Sequence, residues 1–348
     1  MVFIKRRSSF KLIILLSLLI FFSLISLSLS FGQIDVSFNH ILNIIMYNLG
    51  LSSIDSNWFT QEELAIIWYI RLPRLIIGIL VGAALGIAGA TMQGIFGNPL
   101  ADPGIVGVSA GAAVGAVISM ALGLSVYNIF VMPAFAFLGS IIAVFITVFL
   151  AMRNGKIPVM TLLLAGVAVG MLFGAVTSGL LTIMNQQQLQ QYLFWMVGGL
   201  DFRRWEHVYM SLPIIVIGIA ILLILARHLN ILALGESDAK AVGMSVMPFR
   251  ITFLAIASMI TASAVCVSGN IGFVGLVIPH MMRIIFGPDH RILLPASALG
   301  GALFLALSDF IGRTLFTPIE IRVGIITALL GTPYFLYLLR KARKSVIG

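Results

Sequence analysis

The sequence predicts an all-α membrane protein that crosses the bilayer about ten times, through helices of which several are short or broken. Of its 348 residues, 60% are hydrophobic and 9% are charged, and the mean hydropathy is +1.12. Soluble domains carry about a quarter charged residues, so a large soluble protein is excluded. The apolar residues also fall in runs of the length that a bilayer requires, about 20 residues each.

The ten predicted spans follow one another along a single domain of residues 1–348. They cover residues 12–30, 72–92, 105–124, 129–151, 159–183, 208–226, 251–267, 273–286, 292–308 and 323–339. The span at 273–286 is the weakest, because a proline, a histidine and an arginine interrupt it. The first follows a basic triplet and ends in Ser28-Leu29-Ser30, as a signal peptide would, but its apolar run is longer than a signal peptide needs. We therefore interpret residues 1–30 as an N-terminal segment with a retained first helix.

The positive residues predict the orientation of these spans. If the N-terminus is inside, six of the 21 Lys and Arg residues fall outside, namely Arg71, Arg74, Arg203, Arg204, Arg313 and Arg322. The other 15 fall inside, which is the bias typical of membrane proteins. The net charge of +9 therefore reflects membrane orientation and does not indicate a nucleic-acid partner. We predict a multi-pass protein with both termini in the cytoplasm.

Residues 227–250 form a polar island between two apolar runs, and the charge count places this island in the cytoplasm. Glu236 and Asp238 favour the start of a short helix, and Gly243 is placed to end it. The segment is either an ordinary loop between spans or a docking helix for a cytoplasmic partner.

Residues 78–116 carry glycines at four-residue spacing, which allows the backbones of neighbouring helices to approach closely. Between the two glycine-rich stretches, Asn98, Pro99 and Pro103 must break any helix. Irregular backbone at membrane depth is tolerated where protein buries it or where it lines a water-filled cavity. This segment is therefore a candidate element of a transport pathway.

Several chemistries are not expected from the remaining residues. Cys266 is alone, and His280 and His290 have no partner at metal-ligand spacing, so we predict no metal site and no cofactor. The chain has no Gly-x4-Gly-Lys-Ser/Thr phosphate loop, so it should not hydrolyse ATP by itself. The glutamine cluster at 186–191 is interpreted as a solvated loop.

Seven segments of the chain, in order from about residue 68 to the C-terminus, together resemble one protein family. They are Arg71-Leu72-Pro73-Arg74, 82–112, 162–168, 232–244, 269–283, the Asp289-His290-Arg291 stretch with Leu294-Pro295, and 323–339. The family is the membrane permease subunit of ATP-binding-cassette importers for iron–siderophores, haem and vitamin B12.

This resemblance implies a permease of the bacterial inner membrane with several partners. They are a second permease copy, two cytoplasmic ATP-binding subunits, an extracytoplasmic substrate-binding protein and the membrane lipid. The resemblance assigns ATPase coupling to Leu234, Gly235, Glu236, Ala239 and Gly243. It assigns docking of the binding protein to Arg71, Arg74 and Arg313, for which interfacial anchoring is the alternative, or for Arg313 an ion pair with Asp309.

The resemblance also places a gate in the pathway. Asn98 and Leu100 would lie at its narrow inner end, and Pro158, Val159 and Met160 would form a second gate element, with core packing as the alternative. One position departs from the family, since Arg322 stands where members often carry a proline.

The resemblance leaves the cargo open. It favours an iron complex, either a ferric siderophore or haem, with vitamin B12 as the alternative. A transporter driven by an ion gradient through Asp309 or Glu320 is the less favoured hypothesis.

Overall fold

The computed structural model describes residues 7–51, 58–153, 155–315 and 318–347, and it confirms the all-α class. None of the residues in these ranges lies in a β-strand. The helices are α1 (Arg7–Ser30), α2 (Phe38–Asn48), α3 (Gln61–Leu64), α4 (Leu72–Phe96), α5 (Val108–Ala121), α6 (Val131–Ala151), α7 (Val159–Leu181), α8 (Gln186–Val197), α9 (Trp205–Ile224), α10 (Ala226–Leu232), α11 (Glu236–Ala241), α12 (Val246–Ser268), α13 (Val274–Phe286), α14 (His290–Thr314) and α15 (Val323–Ile347). A π-helical segment, Ala65–Arg71, joins α3 to α4, and 3-10 turns occupy Pro103–Val106 and Leu124–Val126. Residues 1–6 and 348, on which the predicted sidedness of the termini depends, lie outside the described residues.

Each of the ten predicted spans has a helical counterpart in the described part of the chain. Six are long and apolar enough to cross a membrane, namely Gln61–Phe96, Val131–Ala151, Val159–Leu181, Trp205–Ile224, Val246–Ser268 and His290–Thr314. Four are shorter apolar helices, namely Leu19–Ser30, Val108–Ala121, Val274–Phe286 and Val323–Tyr337. Long helices and several short ones thus make up the described part of the chain, in agreement with the prediction that several of about ten helices are short or broken.

Helix α4 is the centre of this bundle, and its glycines explain how closely it packs. A Cβ on Gly82 would collide with the backbone carbonyl of Gly301 in α14, and one on Gly89 would collide with the carbonyl of Gly275 in α13. The glycine spacing thus brings helix backbones into direct contact. Buried residues make up 78% of the apolar window of this span.

Helix α7 is the opposite case. Only 17% of its apolar 18-residue stretch is buried, and Gly170 and Gly174 face open space. Large apolar side chains follow one stripe along it: Met160, Leu164, Val167 and Met171 are all exposed. A long apolar helix with so little cover needs lipid or a second protein surface against it.

The glutamine cluster at 186–191 is not a loop, and that prediction is wrong. Asn185 caps α8: its side chain accepts a hydrogen bond from the Gln188 amide at 2.9 Å, and the Gln188 side chain accepts one from the Asn185 amide at 3.0 Å. This reciprocal cap satisfies two backbone donors at the start of the helix. Gln188 also donates to the carbonyl of Met120 at 2.9 Å, which ties α8 to the end of α5.

Candidate coupling segment, pathway loop and arginine cluster

The polar island contains two short helices, α10 and α11, joined by Gly235. Gly235 has a φ of 109° and Gly243 a φ of 84°, so glycine is needed at both ends of α11. Ala239 of α11 is fully buried, whereas Leu234, which precedes the helix, is 65% exposed. The segment therefore presents an apolar residue and a row of charges on its open side while a small residue anchors it.

Arg250, near the start of α12, connects α11 to the loop before α7. Its Nη1 donates to the Ile157 carbonyl at 2.8 Å and to a Glu236 carboxylate oxygen at 3.2 Å. Arg250 is buried, and Glu236 receives a further hydrogen bond from Lys240 at 2.7 Å. One guanidinium group thus holds the candidate coupling helix and the loop that leads into the candidate gate helix.

The charge on Glu236 is stabilised by these partners. The hydrogen bond from Lys240 is the largest of the effects that hold the pKa of the Glu236 carboxyl below its usual range. Partial burial opposes it, and the hydrogen bond and charge of Arg250 lower the pKa further. A cavity of about 250 Å³ lies beside this group, between Lys156, Glu236 and Lys240. Arg250 also lines this cavity, so the Glu236–Arg250 pair borders on it.

A second polar link joins the island to α14. The Asn230 side chain donates to Asp289 at 2.7 Å and accepts from the backbone amide of His290 at 2.8 Å. His290 is buried and lies against Gly94, where α4 ends. His290 therefore has the structural hydrogen-bonding environment that its lack of metal-ligand partners suggests.

The pathway candidates Asn98 and Leu100 lie in the irregular segment after α4. Gly97 ends the helix with a φ of 59°, and the Asn98 side chain accepts from the Leu100 amide at 2.9 Å. Both residues are exposed. The segment then turns through Pro103–Val106 into α5, with the Asp102 carboxylate accepting from the Gly104 amide at 2.7 Å.

The second gate candidates lie at the start of α7. Pro158 is the N-cap residue, Val159 is half-buried, and the Met160 side chain is 69% exposed. Helix α7 meets the irregular segment about two turns further on, where Gly166 packs directly against the Ile105 carbonyl. The two candidate gate elements thus belong to one packed unit that meets at Gly166.

The three predicted docking arginines lie together and are buried. Arg74 donates to both oxygens of Asp309, at 2.9 to 3.1 Å, and to Glu320 at 2.7 Å. It also lies 3.5 Å from Asp201, and Arg313 approaches Asp309 at 4.0 Å. Asp309 and Glu320, the carboxylates that an ion-driven carrier would use, are therefore both ion-paired with Arg74.

Arg71 and Arg313 cap the end of α1. Arg71 donates to the carbonyls of Leu29, Ser30 and Ile34, and Arg313 donates to the Ser28 carbonyl at 2.7 Å. A helix leaves its last carbonyls without intrahelical partners, and cations stabilise that end. The first helix is thus bound into the fold through the two arginines.

Arg322 stands where members of the resembled family often carry a proline, and three contacts hold its side chain. Its guanidinium lies 4.4 Å from the centroid of the Phe194 ring, donates to the Phe194 carbonyl at 2.9 Å, and lies 3.3 Å from Asp201. It ties the turn before α15 to the end of α8.

The arginine cluster (Arg71, Arg74, Arg313 and Arg322) and the polar island of residues 227–250, the candidate coupling segment, lie at opposite ends of α4. Arg74 stands in the first turn of α4, and Gly94, beside His290 and Leu229 of the coupling side, stands in its last turn. Twenty residues of helix separate the two by about 30 Å, the thickness of a bilayer core. The two sites therefore face opposite sides of a membrane.

Sequence reasoning missed four residues that complete these sites, namely Asp201, Asn230, Arg250 and Asp289. Each acts through a partner more than ten residues away, for example Arg250 with Ile157 and Asn230 with Asp289. No local motif connects such pairs. The count of Lys and Arg residues is the one signal for Arg250, which it predicts to lie on the inner side.

This arrangement is that of a polytopic membrane permease with a polar segment at one end of its bundle. The FecCD transport family matches residues 16–341, and the chain belongs to that family. The protein is thus a multi-pass membrane permease subunit.

Two relatives and one solved structure are similar to the chain over most of its length. The cobalamin import system permease protein BtuC of Halobacterium salinarum is 51% identical over 275 residues, which are 79% of this chain and 73% of that protein. The hemin transport system permease protein HmuU of Yersinia pestis is 41% identical over 296 residues, 84% of this chain and 88% of that protein. An inward-facing structure of a transporter assigned to the metal-chelate ABC type superposes with a TM-score of 0.82 at 30% identity, over 94% of this chain and 99% of that one.

Proposed function

We propose that two copies of this chain form the translocation pathway of an ATP-driven importer for a metal chelate. The single observation that carries the proposal is the combination of a charged coupling helix at one end of the bundle with a nearly uncovered apolar helix, α7. Membership of the family supports the class of transporter. Its partners and its cargo are argued below from the contacts of each surface.

The second copy is proposed to lie against α7. The stripe Met160, Leu164, Val167 and Met171 is exposed along its length, and the open glycines beside it allow a second helix to approach. The gate candidates Pro158, Val159 and Met160 begin the same helix, so a dimer across this face would bring two gates together.

A disulfide experiment tests this dimer. Cys266 is the lone cysteine and is buried, so replacing it with alanine gives a background without thiols. In membranes, Val167→Cys should form a cross-linked dimer on mild oxidation, whereas Phe145→Cys on the exposed face of α6 should not. Equal cross-linking of the two variants, or none of either, would contradict the proposed interface.

ATPase subunits are proposed to dock on α11. Leu234 and Val242 are exposed apolar residues at its two ends, and Glu236 and Lys240 present charges between them. Because Arg250 joins Glu236 to the Ile157 carbonyl, a displacement of α11 would be transmitted to the start of α7. A nucleotide-driven movement of the ATPase subunit would therefore be transmitted through the hydrogen bonds of Arg250 to the gate candidates at the start of α7.

Co-purification of the ATPase subunit tests the docking role. Leu234→Arg should abolish capture of the ATPase from co-expressing cells, because it places a charge in an apolar contact. Arg153→Gln, an exposed change in the loop before α7, is the matched control and should leave capture intact. Full capture by the Leu234 variant would return α11 to the role of an ordinary loop.

The substrate-binding protein is proposed to dock at the arginine cluster. Five arginines, Arg71, Arg74, Arg203, Arg313 and Arg322, outnumber the four carboxylates that interact with them, Asp35, Asp201, Asp309 and Glu320, so an excess of positive charge remains. Acidic residues of a partner would be attracted to that excess. The internal contacts of the arginines hold them in fixed positions for such a partner.

Charge reversal tests this surface. Arg71→Glu should weaken binding of the substrate-binding protein, and the difference from the wild type should shrink as salt is raised. Arg153→Glu at the other end of the bundle is the control. An affinity that does not change would leave Arg71 with the single role of capping α1.

The cargo is proposed to be a metal chelate, with an iron complex and cobalamin as the two candidates. The metal-chelate type structure supports the class of cargo, and the hemin permease at 41% identity supports an iron complex, whether a ferric siderophore or haem. The 51% identity with a cobalamin permease is the specific observation that favours cobalamin. Uptake of labelled cobalamin, haem and a ferric siderophore by vesicles of the complete importer separates them.

The same vesicles test the source of energy. Uptake should require ATP and should survive collapse of the proton gradient, because Asp309 and Glu320 are paired with Arg74. Uptake that persists without ATP but stops when the gradient is dissipated would establish an ion-driven carrier instead.

A further inference from the structure

A groove of about 390 Å³ lies where α1, α13 and α14 meet. It begins at Arg291, beside the link between Asp289 and Asn230, and does not include the arginine cluster. Its wall on α14 runs from Arg291 through Pro295 to Leu303, and its other walls include Met282, Phe286 and Ser17. Among the described lining residues, Arg291 and Ser17 are polar and the others are apolar. Small residues, Ala296 and Gly300, form part of the α14 wall and leave the space between the helices.

The length and direction of the groove match one leaflet of a bilayer. Arg291 lies in the first turn of α14, and Leu303 lies twelve residues further along the same helix, so the groove extends for about 18 Å along α14. The hydrocarbon of one leaflet is about 15 Å deep, half the thickness of a bilayer core. Since α14 is long and apolar enough to cross the membrane, the groove follows the direction of lipid chains.

A positive charge stands at one end of this apolar channel. The Arg291 side chain is 58% exposed, and it pairs with Asp289 through Nε at 2.9 Å and Nη2 at 2.6 Å. That pairing leaves Nη1 as the guanidinium nitrogen that Asp289 does not use. Arginine next to an interhelical apolar groove at the basic side of a membrane protein is a typical site for an anionic head group.

We propose that this groove binds one acyl chain of an anionic phospholipid, with the lipid phosphate at Arg291. The apolar wall from Pro295 to Leu303 would cover the chain, and the exposed arginine would fix the head group at the membrane boundary. A bound lipid would fill the space between α1 and α14 and support the contact of the first helix with the bundle. The proposal is independent of the cargo and of the ATPase partner.

Native mass spectrometry of the purified full chain tests the site. The delipidated protein is titrated with phosphatidylglycerol or with phosphatidylcholine, and bound lipids are counted. The wild type should retain phosphatidylglycerol, and Arg291→Gln should lower its apparent affinity about fivefold, the effect of one cation near an anionic head group. Arg227→Gln is the charge control, because Arg227 is exposed on the same end of the bundle at the start of α10.

A second variant tests the chain-binding wall. Ala296→Phe should remove lipid retention by filling the groove, and Leu138→Phe on the exposed face of α6 should not. The Arg291 variant changes an exposed side chain, so its result stands even where the Ala296 variant does not fold. Equal retention of the two lipids by the wild type, unchanged retention by both groove variants, or a second protein chain bound in place of lipid would each overturn the proposal.

Discussion

The two ends of α4 carry the same kinds of charged residue in opposite environments. Around Arg74, each carboxylate belongs to a network of buried or half-buried ion pairs. Around Glu236, the charges are largely open to solvent, and Arg250 is the buried member. Buried pairs fix a shape and are costly to break, whereas exposed pairs contribute little energy and can exchange partners. One end of the bundle is therefore built to stay fixed and the other to respond.

The strongest test of this contrast removes Arg74. Arg74→Leu leaves Asp309 buried without its main partner, and we expect a loss of stability of about 3–5 kcal/mol. Thermal unfolding in detergent measures it. The double variant Arg74→Leu with Asp309→Leu should recover most of the loss, because it leaves no unpaired buried carboxylate at that position. A double variant no more stable than the single one would contradict the role of the pair.

The next largest effect is expected on the coupling of ATP hydrolysis to transport rather than on the stability of the fold. Arg250→Gln removes the charge that joins Glu236 to the Ile157 carbonyl, and transport per ATP hydrolysed should fall about tenfold, as expected for a lost charged hydrogen bond. ATP hydrolysis and cargo uptake are measured together in vesicles. Arg227→Gln serves as the neighbouring control. A variant that transports normally would show that α11 reaches α7 by another route.

A pH titration distinguishes the two ends of α4, with a smaller expected change in free energy than in the two variants above. Because the pKa of Glu236 is lowered in the folded chain, its contribution is present above the usual glutamate pKa of about 4.3 and is lost as the pH falls through the lower folded value. The position of α11 should therefore stay constant from about pH 8 to pH 5 and change below about pH 4.

A fluorophore on Val242→Cys, in the Cys266→Ala background, reports this change. Glu236→Gln should remove the acid-dependent step. A step that persists in this variant would assign it to another group.

The smallest effect is expected at the departure from the family. Arg322→Pro restores the usual residue and loses the contact with the Phe194 ring and the pair with Asp201, which are partly exposed. We expect a change within about 1 kcal/mol, since contacts of this kind are weak and proline rigidifies the turn. Thermal unfolding again measures it. A loss as large as that of Arg74→Leu would make Arg322 a full member of the buried network.

Local pattern was sufficient for the helices and for the short element of the coupling segment. Span length, the glycine spacing and Gly243 each act within a few residues, so the sequence predicts α4, α11 and α14 closely. The glutamine cluster shows the limit of composition, because the Asn185 cap converts a polar run into a helix. The cap was present in the sequence and was outweighed by the polarity of the run.

The sequence by itself determined that this protein lies in a membrane, that it crosses it through many apolar helices, and that a polar island stands between two of them. Hydrophobic run length and charge asymmetry encode these properties locally. The tertiary structure alone decided that Arg74 is buried against Asp309, 235 residues away, and that Arg250 joins α11 to the Ile157 carbonyl, 93 residues away. Such contacts depend on which helices become neighbours, and close packing between backbones settles that choice only when the whole bundle is assembled.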